Sequence, residues 1–328
     1  MVGNLLSKCV LSHPLFVHFE CTYRCNMVCS FCNIWRRNLF PIEASTSEFK
    51  RRLLDCWDLG CVVVSFTGGE PLLRGDIKEL LNFSSHEVGF YTGLLTNGLL
   101  LGKRLNDIVK NVDFLAVSFD VNDEKVFNAT RGPETYMIVK KNIEKAKSAG
   151  VDINLFSVLT KANLELIDSI IEFAEDLDVS IHFSPVGSVP RELLETSDAT
   201  SHRLTDVESV LETLNVKKKK YSRIHFEPDY FHFHANGGFN RVMRCASAST
   251  TISLKPDASV SLPCPFLTLH SVDKGTPLQG ALKTDIVRDL VRNCGRWSSC
   301  ANCSINCMYV VSLPKYPYHA VRWIANKI

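Results

Sequence analysis

The sequence predicts an α/β protein built on a parallel sheet, followed by a small cysteine-rich unit. Three observations carry that expectation. From residue 15 to 185, short apolar runs alternate with stretches of helical periodicity, the sequence form of repeated βα units. The chain has 328 residues, 45% of them hydrophobic, which is enough to bury a sizeable core. Thirteen cysteines fall mainly into two groups, one ending at Cys32 and one beginning at Cys245.

Strands are expected at residues 15–19, 62–66, 90–96, 114–119, 153–159 and 181–185. Helices are expected at 47–59, 77–83, 105–109, 135–149 and 164–177, with Gly150 stopping the fourth. Six such units fit a partial barrel or a flat doubly wound sheet, and periodicity does not separate them. From residue 186 the regularity lapses. A helix is expected at 208–214, and the four lysines at 217–220 read as a solvated face. His232 and His234 stand at strand spacing, on a surface or substrate-lining strand. Residues 251–254 and 259–262 form a hairpin around a turn at 255–258, so that Cys245 and Cys264 at its base meet. A helix near 286–291 leads to Cys294, Cys300, Cys303 and Cys307. The last stretch, 316–328, is amphipathic; docking back onto the sheet is expected, and lying on a membrane surface is the alternative.

A formal charge of +2 argues for no nucleic-acid or membrane partner. There is no secretory signal and no run of about 20 apolar residues, so a cytoplasmic chain with reduced thiols is expected. In that compartment closely spaced cysteines bind metal more often than they form disulfides. Cys9, Cys56 and Cys61 are isolated and read as small buried hydrophobes. The sharpest signal is the run from Cys21 to Cys32, in which Cys25, Cys29 and Cys32 have C-x3-C-x2-C spacing. Three thiolates from one short loop converge on one metal centre. Zinc would want a fourth ligand, for which Cys21 is at hand, whereas a four-iron cluster on three cysteines keeps one iron open.

This triplet, with Phe31 before its last cysteine and a strand ahead of it, resembles the radical S-adenosylmethionine (radical SAM) enzymes. Thr67, Gly68, Gly69, Glu70 and Pro71 after the second strand are similar to that family's GGEP-type motif. The resemblance implies a (β/α)6 partial TIM barrel over residues 15–185, after an N-terminal extension at 1–14, with ligands at the C-terminal strand ends. It implies a [4Fe-4S] cluster on Cys25, Cys29 and Cys32, with S-adenosylmethionine on the open iron. Gly68 and Gly69 would let the backbone approach the cofactor, and Glu70 and Pro71 would fix the turn. Phe31, Asn97, Ser118, Asp120, Arg131 and Asn163 fall on segments that lie near the cofactor in the family, as does Lys161.

A connecting, substrate-proximal segment at 186–243 would then lead to residues 244–310, which resemble an auxiliary-cluster region of the twitch or SPASM type. Cys245, Cys264, Cys300 and Cys303 would hold one further [4Fe-4S] cluster, with Cys307 as substitute ligand and a tail at 311–328. Pro256-Asp257-Ala258 replaces the usual Pro-Asp-Gly turn. A zinc knuckle is the alternative use of these thiols. In family chemistry one electron cleaves S-adenosylmethionine to a 5′-deoxyadenosyl radical that takes a substrate hydrogen, and no catalytic residue beyond the cluster is assigned. The implied activity is an oxygen-sensitive oxidation, cross-linking or bond-forming modification of a peptide or protein. The alternatives are a lipid or small metabolite as substrate, or a zinc-stabilised binding protein without catalysis. A reducing partner such as ferredoxin or flavodoxin is implied.

Overall fold

A computed structural model describes residues 14–35, 43–186, 202, 204, 206–225, 230, 243–300, 303 and 311–312. Cys9, His232, His234, Cys307 and the stretch 316–328 lie outside the described residues. Six strands follow one another as expected: β1 (Phe16–Thr22), β2 (Val63–Gly68), β3 (Tyr91–Thr96), β4 (Phe114–Ser118), β5 (Ile153–Leu159) and β6 (Ser180–Pro185). All pair in parallel, each beside its successor in the chain. A doubly wound sheet reverses its strand order partway, and this one does not. Right-handed crossovers then put every connecting helix on one face, and the sheet curls into a partial barrel around the other.

Alternation within each strand decides what faces in. On β1, Val17, Phe19 and Cys21 turn to the helices, leaving Phe16, His18 and Glu20 on the inner face. Helix α1 (Thr46–Asp58) starts at a capping box: Ser45 accepts from the Glu48 N–H, and Glu48 accepts from the Ser45 N–H. Its Phe49, Leu53 and Cys56 form a buried stripe, and the Phe49 ring lies 4.7 Å from Phe19, itself 5.0 Å from Phe66. Cys56 and Cys61 are fully buried, as expected of small hydrophobes.

Next come α2 (Ile77–Asn82), α3 (Leu101–Ile108), α4 (Glu124–Arg131), α5 (Tyr136–Ser148) and α6 (Ile167–Asp176). Helix α3 starts four residues before the expected 105, because Leu101 joins Leu105 and Ile108 in its buried face. Helix α4 was not expected. Its eight residues carry only a short apolar pattern, but Asp123 caps the start and Gly132 and Pro133 end it. Then comes α7 (Val207–Lys218), whose Lys217 pairs with Asp168 of α6 at 2.5 Å; beyond 225 the described residues are 230 and, continuously, 243–300.

The short helix α8 (Ser247–Thr250) leads into β7 (Thr251–Leu254) and β8 (Val260–Cys264), the expected hairpin. A third strand, β9 (Leu267–Val272), extends it. Strand β7 pairs in parallel with β1, so the hairpin continues the barrel sheet to nine strands in the order β6-β5-β4-β3-β2-β1-β7-β8-β9. Arg52 of α1, fully buried, latches this addition by donating to the carbonyls of Ala258, Asp273 and Thr276. At the turn, Ala258 adopts φ 64, the left-handed conformation that glycine usually supplies, and Asp257 accepts from the Ser259 N–H. Helices α9 (Leu278–Ala281) and α10 (Asp285–Asn293) follow. No helix among the described residues is long and apolar enough to cross a membrane.

Candidate functional site

The loop that leaves the C-terminal end of β1 carries Cys25, Cys29 and Cys32. Cys32 N–H donates to the Cys29 carbonyl at 3.2 Å, and Ser30 N–H to the Thr130 carbonyl at 2.9 Å, so the end of α4 holds the second half of the loop. The Cys25 sulfur accepts from Asn97 Nδ2 at 3.7 Å and the Cys29 sulfur from Arg131 Nη1 at 4.0 Å. Burial raises both thiols, Cys29 to about 11 against the pull of Arg131. Cys21 differs in kind. It is fully buried on the helix side of β1, donates to the Thr67 carbonyl and is raised far above the ordinary thiol range by burial. Three thiols from one loop at a strand end, two of them with N–H donors trained on the sulfur, suit a thiolate-bound cluster, because such donors stabilise sulfur that has lost its proton. Among the described residues no three His, Cys, Asp or Glu side chains are gathered closely enough for a single metal ion.

The strand-end motifs grip this loop. Gly69 N–H donates to the Thr22 carbonyl and Glu70 N–H to the Arg24 carbonyl, both at 2.8 Å. A Cβ at Gly68 would stand 2.3 Å from the Thr22 oxygen, and one at Gly69 2.2 Å from the Arg24 oxygen. The close approach that the two glycines permit is thus to the cysteine loop. Pro71 opens a buried 3-10 turn, Pro71–Leu73, and Glu70 caps it by accepting from the Leu72 N–H. Glu70 also accepts from Thr96 Oγ1 at 2.9 Å and from the Asn97 N–H at 2.7 Å. Asn97 Nδ2 in turn reaches Asn26 Oδ1 at 2.8 Å as well as Cys25. The chain of contacts runs from Glu70 through Asn97 to the first cysteine.

Burial pushes the Glu70 carboxyl up to about 7, opposed by the donors that favour its ionised form. An acid whose folded value lies above its unfolded value of 4.5 holds its proton more tightly when folded. Its contribution to stability therefore falls as pH rises from about 4.5 to about 7 and is level above that. Denaturant melts across this window should show wild type losing stability relative to Glu70→Gln; a difference independent of pH would contradict the assignment.

Phe119 sits among Phe127, Tyr136 and Phe173, with ring centroids 5.0, 5.8 and 5.1 Å away, and so fixes the end of β4. Asp120 follows it and is 2% exposed. It accepts from Arg131 Nε at 2.5 Å and Nη2 at 2.8 Å, and from the Val158 N–H at 2.8 Å. Burial works against the Arg131 cation, and Asp120 more than restores it. The guanidinium lies 5.4 Å from the centre of the Phe31 ring. Asn163 donates to the carbonyls of Val158 and Asp120 and accepts from the Thr160 N–H, tying the end of β5 to that of β4. Ser118 is half-buried at the end of β4, and Lys161 is exposed. Arg131 stands among the expected residues, but the helix that carries it does not; the Asp123 cap and the Gly132-Pro133 stop are its sequence signals.

A second group of thiols lies at the hairpin base. Cys245 and Cys264 come together as expected, and Cys264 also interacts electrostatically with Cys300. Cys294 belongs here too: its thiol hydrogen-bonds the Cys245 sulfur, holding Cys245 below the ordinary thiol range and Cys294 far above it. Burial raises Cys264 to about 12. A Cβ on Gly295 would meet the Cys245 backbone nitrogen at 3.1 Å, so a glycine beside Cys294 is what lets the two segments close up. Cys303 is half-buried, its N–H donating to the Cys300 carbonyl at 3.1 Å.

Residues 19–174 match the sequence profile of the Radical SAM superfamily. SuiB of Streptococcus suis bound to the precursor peptide SuiA superposes with a TM-score of 0.68 at 19% identity, over 96% of this chain and 76% of that one. SuiB bound to S-adenosylmethionine gives 0.67 at 18% identity, over 96% and 77%. Native anSMEcpe with bound AdoMet and Cp18Cys peptide gives 0.64 at 17% identity, over 96% of this chain and all 100% of its own. At these identities the likeness is one of fold.

Proposed function

We propose that the chain, whose residues 19–174 match the Radical SAM superfamily, is a peptide- or protein-modifying enzyme with an auxiliary iron–sulfur cluster. The observation that carries this reading is the loop bearing Cys25, Cys29 and Cys32, clamped from the ends of β2, β3 and α4, with donors aimed at two of its sulfurs. Cys25, Cys29 and Cys32 would hold a four-iron cluster, which together with S-adenosylmethionine would supply the radical chemistry needed at an unactivated C–H. The protein's part is orientation and exclusion of water. Asn97 and Arg131 hold two of the ligand loop's sulfurs in place, Phe31 and Arg131 cover the loop on the α4 side, and Ser118 stands at the strand ends where the cofactor would lie.

Cys245, Cys264 and Cys300 are the ligands for the second cluster, with Cys294, Cys303 and Cys307 the candidates to complete the set; the contact of Cys294 with Cys245 favours Cys294. The peptides bound to SuiB and anSMEcpe support a peptide substrate. A ferredoxin or flavodoxin would deliver the electron, in the cytoplasm.

Anaerobic reconstitution with iron and sulfide, iron counting and assay of 5′-deoxyadenosine test this directly. About eight irons per chain and cleavage of S-adenosylmethionine are expected. Cys29→Ala should abolish cleavage, Cys21→Ala should not, and Cys264→Ala should lose iron from the second site only. Uptake of zinc alone without cleavage would establish the non-catalytic binding protein instead.

A further inference from the structure

Strands β1, β7 and β8 turn a row of polar side chains to the inner face of the sheet. His18 of β1 is registered with Ser253 of β7, and Ser253 with Ser261 of β8, so the three stand side by side on one face. One step further on, Lys255 Nζ lies 2.8 Å from Glu20 Oε2 and 3.4 Å from the Pro265 carbonyl, and Tyr23 OH donates to the same carboxylate oxygen at 3.1 Å. That corner is satisfied. The Ser253 and Ser261 hydroxyls are not: the residues are 1% and 2% exposed, and neither hydroxyl has a hydrogen-bond partner among the described residues. Orphaned buried hydroxyls are uncommon in native proteins. Two of them in direct register, beside a histidine and on the face that encloses the barrel interior, are groups waiting for a ligand.

Charge narrows the class of that ligand. Lys255 and Glu20 neutralise one another. Burial pushes His18 down to about 4 against the pull of Glu20, whose nearest oxygen is 3.9 Å from Nε2, so the imidazole is uncharged at neutral pH. A carboxylate, phosphate or ammonium brought to this row would be buried without a counter-charge. An uncharged group that both donates and accepts would satisfy hydroxyls and imidazole together.

We propose that Ser253 and Ser261, with His18 beside them, form a subsite that binds a neutral amide group of the substrate, the hydroxyls pairing with its N–H and C=O. Naming the amide as peptide backbone rests on the peptide-modifying reading above; the existence of the subsite does not. The test is an NMR titration of the full chain with N-acetylglycylglycine amide, uncapped glycylglycine and inorganic phosphate, repeated on the Ser253→Ala, Ser261→Ala double variant. The capped amide should bind the wild-type chain and its Kd should weaken about tenfold or more in the variant. Neither the zwitterion nor phosphate should compete. The melting temperature of the variant should be unchanged or higher, since no structural partner is lost. Equal binding of the amide by both proteins, tighter binding of zwitterion or phosphate, or a lower melting temperature in the variant would each overturn the proposal. The cleavage assay above is separate, so a chain that binds the amide without cleaving S-adenosylmethionine would remove the enzyme reading and leave the subsite standing.

Discussion

A chain carrying Gly69→Ala should lose about 3–5 kcal/mol of stability and should take up little iron at the first site. The new Cβ would lie 2.2 Å from the Arg24 oxygen, 2.7 Å from the Arg24 carbonyl carbon and 2.8 Å from the Tyr23 oxygen, all of them backbone. No rotamer relieves a clash with backbone, so the cysteine loop must move. In moving it would give up the Gly69 N–H to Thr22 and Glu70 N–H to Arg24 hydrogen bonds, and the thiols of Cys25 and Cys29 would leave Asn97 and Arg131. Gly75 is the control. An added Cβ there meets nothing within 4 Å, and Gly75→Ala should change stability by no more than about 0.5 kcal/mol. Thermal melts and iron counts on the two variants decide the point; wild-type iron uptake by Gly69→Ala would show that the glycine does not hold the loop.

Much of the scaffold is legible in the sequence because it is written in local periodicity. The apolar runs around Val64, Leu94, Val117 and Leu155 mark the strands, and Ser45 with Glu48 announces α1. What periodicity cannot carry is which distant segment fills a space. That Gly68 and Gly69 meet residues 22–24, that Arg52 reaches carbonyls more than two hundred positions away, and that β7 lies beside β1 all depend on contacts with no local signature. Strand β9 was hidden for another reason: only Leu267 and Val272 at its ends are buried, so an edge strand shows no alternation. Spacing alone does not decide which of Cys294, Cys300, Cys303 and Cys307 completes the second thiol group, whereas the fold brings Cys294 to Cys245. His18 and Glu20 did leave a trace, two polar residues at strand spacing in an otherwise apolar run, which in a barrel strand points inward.

Arg131→Met should cost about 3–5 kcal/mol, because it strands the Asp120 carboxylate in a site almost closed to water. Both partners are buried, and the bidentate contact at 2.5 and 2.8 Å leaves Asp120 only the Val158 N–H once the guanidinium is gone. Pairing Arg131→Met with Asp120→Asn should recover a large part of the loss, since the amide is cheaper to bury than the unpaired anion. Stability and function should then part company. The double variant still lacks the donor to the Cys29 sulfur and the cation over Phe31, so cleavage of S-adenosylmethionine should remain at least about tenfold below wild type although the fold has been largely restored. Arg131→Lys sharpens the test: it keeps a positive charge near Asp120 but cannot address Asp120 and Cys29 from one rigid fork. Recovery of full cleavage in the double variant would mean that Arg131 serves only to neutralise Asp120, and that the approach of its Nη1 to Cys29 has no part in holding the ligand loop.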